Sequence, residues 1–244
     1  MLTSTGKSQK NTLRYTQFWN EFAFTRPLKG NWALEFNFGQ TWTSPIGGND
    51  FFYTNAQLYA RVWVHYFLNP RWKLSYFYAY FSNKDVPEIN QRKARELRSA
   101  IQAIYYIKKA STYTLTTRMK IEDRHILNKA GVYEAVYRFR DQLRIVVPLN
   151  SKYIRQGVIY GIASDELSFK TASEVTGPTF FDRNRFSIGA GYSVTDDMQI
   201  ELTYADEYLP RTTNDELYNG IQLNVNFNNL LTNIKNKLIK RRKQ

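Results

Sequence analysis

The chain has 244 residues, 43% of them hydrophobic and 16% aromatic, with a formal net charge of +13. It has no cysteine and two histidines, which excludes a disulfide framework, a zinc–thiolate site, a cysteine nucleophile and a histidine metal cluster. No apolar run reaches the roughly eighteen residues of a membrane helix, and the basic excess, nearly half of it in Lys235, Lys237, Lys240, Arg241, Arg242 and Lys243, accompanies no nucleic-acid-binding motif.

In chain order, residues 1–11 are polar and lack an apolar core, so they are not expected to act as a signal peptide. Segments that read as strands follow near 14–25, 31–43, 53–68, 71–81, 95–108, 112–124, 132–147, 157–169, 182–194, 198–209 and 217–228. All seven prolines, Pro27, Pro45, Pro70, Pro87, Pro148, Pro178 and Pro210, fall at breaks in the alternation, as expected of a residue that donates nothing to a ladder. The links at 27–31, 69–71, 108–111 and 195–197 are short, and the longer 148–157 link falls at the same end. The links at 44–52, 82–94, 125–131, 171–181 and 210–216 are loops at the other end. Short turns at one end and loops at the other are the pattern of outer-membrane barrels. Eleven strands is an odd number where single-chain bacterial barrels have even ones. The expectation is ten to twelve, with a strand missed or wrongly divided, or with residues 1–13 threading the lumen or adding an edge strand.

The clearest alternation lies between Tyr113 and Val147. Tyr113, Leu115, Met119 and Ile121 share one face, and Thr114, Thr116, Arg118, Lys120, Glu122 and Arg124 share the other. Tyr133, Ala135, Tyr137, Phe139, Leu143, Ile145 and Val147 then alternate with Glu134, Arg138, Arg140, Gln142 and Arg144. Period two places each set on one face of a strand. Alternation alone allows two closed barrels, one apolar outside and one apolar inside.

Three features favour the apolar face outside. Charges within strands are mostly arginine, whose planar fork suits enclosed pairs. Aromatics sit at strand ends: Trp32 and Trp72 follow short turns, Tyr105 and Tyr113 flank another, and Tyr76, Tyr78 and Tyr80 approach a long loop. Two such bands make membrane-interface girdles. Gly39, Gly189 and Gly191 fall on the ionic face, where crowding is expected. Asp141 interrupts the apolar face and is expected near an interface, where a charge costs little. The competing reading is a soluble barrel or sandwich with an aromatic core.

Several segments carry a family likeness: Gln17-Phe-Trp-Asn-Glu21, Asn31-Trp-Ala-Leu-Glu35, Arg118-Met-Lys-Ile-Glu-Asp-Arg124, Tyr137-Arg-Phe-Arg140 and Asp182-Arg-Asn-Arg-Phe-Ser-Ile-Gly-Ala-Gly-Tyr192. In this order they resemble the small Gram-negative outer-membrane barrels known as domain of unknown function 2490, from about Tyr15 to Phe227. The resemblance implies export and an outer-membrane barrel, and implies no reaction. The chain departs from the usual terminal aromatic, because Phe227 is followed by further residues ending in Arg241-Arg242-Lys243-Gln244.

A barrel hydrolase needs serine, histidine and an acid within hydrogen-bond reach. His65 lies on the ionic face of its strand. Ser75 shares the parity of Lys73, outside the ionic set, and His125 sits at a loop edge. His65 is therefore expected to be one more polar lumen residue. The polar ladder says more. Arg98, Arg118, Lys120, Arg124, Arg138, Arg140 and Arg144 form a basic wall, and Glu21, Glu35, Glu201 and Glu207 form an acidic wall diametrically opposite. The expectation is that both walls point into the lumen and are mostly paired. Near the C-terminus, Leu231, Ile234 and Leu238 fall on one helical face among lysines, which suits a short interfacial helix on anionic lipid or a solvated tail.

The sequence thus predicts an all-β, antiparallel up-and-down transmembrane β-barrel of ten to twelve strands over 14–228, between a polar segment at 1–13 and a basic amphipathic tail at 229–244. The expected place is the outer membrane of a Gram-negative bacterium. The expected role is non-enzymic: a structural or accessory protein, or a narrow anion-preferring pore, with a largely filled lumen and no cofactor or metal. Expected partners are outer-membrane lipid and a protein met through the long loops or the tail, not nucleic acid. The alternatives are a soluble barrel binding an apolar ligand and a barrel lipid hydrolase.

Overall fold

The computed structural model describes residues 10–86, 89, 91–110 and 112–229. Eleven strands follow in chain order: β1 (Thr12–Pro27), β2 (Trp32–Thr43), β3 (Thr54–Asn69), β4 (Trp72–Asn83), β5 (Arg95–Lys109), β6 (Thr114–Leu127), β7 (Tyr133–Pro148), β8 (Ile159–Lys170), β9 (Phe181–Thr195), β10 (Met198–Leu209) and β11 (Asp215–Asn228). They close into one barrel, and no helix occurs among the described residues. Each strand pairs antiparallel with its sequence neighbours. The tail reading at 230–244 lies outside the described residues.

The odd count needs no twelfth strand. An up-and-down ring with an odd number of strands must join its first and last in the same direction. β1 and β11 do so, in unbroken parallel register from Thr12↔Asp215 to Thr25↔Asn228. The described part of the N-terminal segment neither threads the lumen nor adds an edge. Lys10 reaches Asp215 at 3.7 Å, and β1 begins at Thr12.

The alternation resolves with its apolar side out. Met119, Ile121, Tyr137, Phe139 and Leu143 are all exposed, while Lys120, Glu122, Arg124 and Arg138 are buried inside. Among the described residues the interior of this barrel is mostly ionic. Three apolar clusters break that rule, one of them Tyr15, Leu209 and Tyr218 of β1, β10 and β11. Trp63, Phe77, Phe81 and Ala100 pack on the inner wall of β3–β5. At the long-loop end, Val86 and Ile89 from the β4–β5 loop and Val175 from the β8–β9 loop fold inward onto Ala56, Ile126 and Val136. The loops thus cap the barrel with buried hydrophobics.

The aromatic rims follow strand pairing. Trp32 packs at a tilt against Tyr66 with ring centroids 4.6 Å apart, and Trp72 against Tyr105 at 4.7 Å, both at the short-turn end, where Tyr113 lies half-buried just before β6. Tyr76, Tyr78 and Tyr80 line the outer face of β4. Asp141 departs from expectation. It sits near the middle of β7, not at its end, between Met119 of β6 and Leu167 of β8. Its Oδ1 accepts a hydrogen bond from Thr117 Oγ1 at 3.1 Å, and Asp165, diagonal to it on β8, accepts one from Asn184 at 2.7 Å. Local donors on the same outer face substitute for the interface that was expected to solvate the charge.

Candidate functional site

The inner wall of β5–β9 is a network in which few carboxylates bridge many cations. Glu122 of β6 meets Arg138 at 2.6 Å, Arg140 at 3.0 Å and Lys120 at 3.1 Å. Glu166 of β8 binds both Arg118 and Arg140. Glu96 of β5 joins Arg98 and Arg124, each at 2.7 Å. Asp182 of β9 meets Arg183 at 3.0 Å and Arg138 at 3.4 Å. Each acid lies almost fully buried, where the pair attraction is strong and a missing partner is costly.

All the residues expected in the two walls point inward, but their partners differ from the opposed-wall picture. Glu21 binds Arg61 at 2.6 Å and also Tyr59, both on β3. Glu35 accepts from Thr25 at 2.9 Å and lies 3.4 Å from His65. Glu207 binds Arg183 and Arg185 of the adjacent strand. Glu201 alone of the acidic set meets a member of the basic set, Arg144, at 2.8 Å. The reason is distance. Eleven strands about 4.8 Å apart and tilted about 40° give a ring roughly 22 Å across, backbone to backbone. Two side chains reach across a chord of that ring, not its diameter, so neighbouring strands pair first. Residues that sequence reasoning left out of the walls, Glu96, Glu122, Glu166, Asp182, Arg61, Arg183 and Arg185, supply most of the partners. Inward parity was the available signal for all but Asp182, which turns in beside Arg183 where the β8–β9 register shifts.

Ser75 also departs from expectation. The inner face of β4 carries Ser75, Phe77, Ala79 and Phe81, so Ser75 points in with His65. His65 Nδ1 lies 2.8 Å from Ser75 Oγ, which with Glu35 makes a Ser–His–Glu chain across three strands. Ser75 and His65 are buried, and neither borders the lumen cavity.

That cavity, about 460 Å³, lies among the arginines. Nine cationic residues border it against four carboxylates, Glu21, Glu166, Glu201 and Glu207. Gln17, Gln222, Asn224 and Asn226 line the side formed by β1 and β11. Bulky inner side chains are accommodated by glycines on neighbouring strands. A Cβ at Gly39 would come within 2.5 Å of Tyr59, and one at Gly220 within 2.6 Å of Trp19. The lumen is therefore crowded but not filled. Among the described residues no group of histidine, cysteine and acidic side chains is placed to hold a metal.

A family model described as "Protein of unknown function (DUF2490)" matches residues 16–218. Among solved structures, the chain is similar to a "Bacterial polysaccharide outer membrane secretin" with a TM-score of 0.52 and 11% identity, over 83% of this chain and 67% of that one. No curated protein matches it.

Proposed function

The chain belongs to this family of unknown function, and from its inside-out barrel we propose that it spans the outer membrane of a Gram-negative bacterium as a narrow, anion-preferring path. The carrying observation is the partition of the strands, apolar outside and ionic inside, which leaves Phe36, Phe38, Val62, Ile121, Phe139 and Leu202 exposed on the outer face. A closed barrel satisfies every ladder internally, as a lipid environment requires. The tryptophan and tyrosine pairs at the short-turn rim suit a membrane–water boundary, and the likeness to an outer-membrane secretin fits the same reading.

The lumen supports a restricted conduit. Its cavity is small, capped by Val86, Ile89 and Val175, and most of the charged residues on its border are arginines already held by carboxylates. Charge-assisted pairs hold their side chains in place, so the bore leaves no room for oligosaccharides. We read the barrel as non-enzymic. Ser75 is enclosed away from the cavity, and its backbone belongs to the β3–β4 and β4–β5 ladders, which leaves no arrangement of free amides for an oxyanion.

Single-channel recording in a planar bilayer tests the reading. The expected result is small, anion-selective steps that weaken when Arg138 and Arg140 are replaced by Ala. Large unselective conductance, or silence unchanged by that double substitution, would overturn it. Silence would favour the structural or accessory role that the loop cap also fits.

A further inference from the structure

The cavity has more hydrogen-bond donors than its own carboxylates use. On β6, Arg118 stands opposite Gln142 of β7, with Arg140 and Arg144 two residues to either side. Three guanidinium groups therefore gather on one patch; Glu166 and Glu201 serve them from this cavity, and Glu122 beside it takes a further bond from Arg140. Arg118 binds Glu166 through one terminal nitrogen, and its Nε is buried with no acceptor in the protein. Arg61, on another part of the cavity wall, repeats this. One terminal nitrogen binds Glu21 at 2.6 Å and the Nε is buried without an acceptor. Both Nε atoms are closed to solvent, so a ligand in the cavity would meet instead the second terminal nitrogen of each arginine, which donates to no acceptor among the described residues and is not enclosed.

The amide side of the cavity has different chemistry. Gln222 donates to Asn224 at 3.1 Å, which leaves the Gln222 oxygen and the Asn224 amide nitrogen for another partner. Gln17 accepts from Trp19 Nε1 at 2.8 Å and donates to Thr43 at 3.3 Å. Carboxamides both donate and accept, as hydroxyls do. A guanidinium offers a planar fork that suits two oxygens of an oxyanion. An anion-only site would need the first wall and not the second.

We propose that the lumen binds a small phosphorylated sugar. The phosphate lies on the Arg118, Arg140 and Arg144 patch, and the sugar hydroxyls lie toward Gln222 and Asn224. At about 460 Å³ the cavity falls in the size range of small-molecule sites. The proposal rests on the reading of the lumen as an anion path and names the class of anion that stops in it.

Isothermal titration of the full chain in detergent micelles tests it, with glucose 6-phosphate, inorganic phosphate and glucose as probes. Glucose 6-phosphate is expected to bind, inorganic phosphate at least tenfold more weakly, and glucose not at all. Arg144→Gln is expected to weaken glucose 6-phosphate binding about tenfold. Asn224→Leu should weaken it while leaving the affinity for inorganic phosphate unchanged, and this second variant spares the ion-pair network on which folding depends. Absence of glucose 6-phosphate binding by protein that still migrates as a folded barrel in unheated gels would overturn the proposal, as would equal affinity for phosphate or glucose. The micelle experiment needs no conduction. A barrel that conducts anions but does not bind the sugar phosphate loses this site and keeps the pore, and one that binds without conducting does the reverse.

Discussion

Arg144 of β7 and Glu201 of β10 meet across the inside of the barrel, with one guanidinium nitrogen 2.8 and 3.1 Å from the two carboxylate oxygens. β8 and β9 lie between their strands, so this contact is a strut and not a neighbour pair. Tyr160 of β8 adds a hydroxyl donor to the same carboxylate at 3.2 Å.

A double-mutant cycle on Arg144→Ala and Glu201→Ala is expected to give a coupling of about 1 kcal/mol, because Arg144 is one-third exposed and solvent screens the pair. Urea unfolding in lipid vesicles would measure it. Glu201→Ala should also raise single-channel conductance, since it frees the strut.

Glu122→Gln is expected to be far more damaging. Its carboxylate is buried and holds Lys120, Arg138 and Arg140 together. Removing the charge leaves three enclosed cations sharing fewer partners, at a cost of about 3–5 kcal/mol. The expected readout is a large fall in urea midpoint, with part of the protein failing to migrate as a folded barrel.

Asp141→Leu is expected to stabilise the barrel in lipid by about 1 kcal/mol, because a mid-strand carboxylate on the outer face is replaced by a side chain matching Met119 and Leu167 beside it. The same substitution should give little or no gain in a detergent that wets the outer face. A loss of stability in both settings would mean that Asp141 serves a partner through its outer surface.

Gly39→Val is expected to cost about 1–3 kcal/mol by overpacking. The new side chain would meet the Tyr59 ring and the Asn20 carbonyl, both within 2.6 Å of an added Cβ. Tyr59 would have to leave Glu21, so Arg61 should lose order with it. Denaturant midpoints together with tyrosine fluorescence would follow both effects.

Much of the barrel was legible because a strand exposes its two faces through a period that every residue must obey. The sides of Arg118, Arg138, Met119 and Phe139 follow directly from their parity. Partner choice was not legible, because it depends on which strands become neighbours and how far a side chain reaches across a closed ring. Glu166 lies 26 residues from Arg140 and meets it through the β7–β8 register. The same holds for Ser75. Its strand has an inner face of small and aromatic residues with a single charge, Lys73, at its end, too little to mark that face, so its contact with His65 had no clear sequence signal. The loop cap was hidden for another reason. Val86, Ile89 and Val175 belong to irregular segments, where periodicity carries no information.

The parallel seam between β1 and β11 gives the molecule a sidedness. Thr12 opens β1 at the long-loop rim, and Asn228 closes β11 at the short-turn rim. The first residue of the ladder and its last therefore lie at opposite rims of the barrel. The ladder thus makes a single net traverse from rim to rim, where an even-stranded barrel returns to the rim it started from. On the proposed membrane reading, epitope tags placed directly before Thr12 and directly after Asn228 should answer to antibodies on opposite faces of the same sealed bilayer.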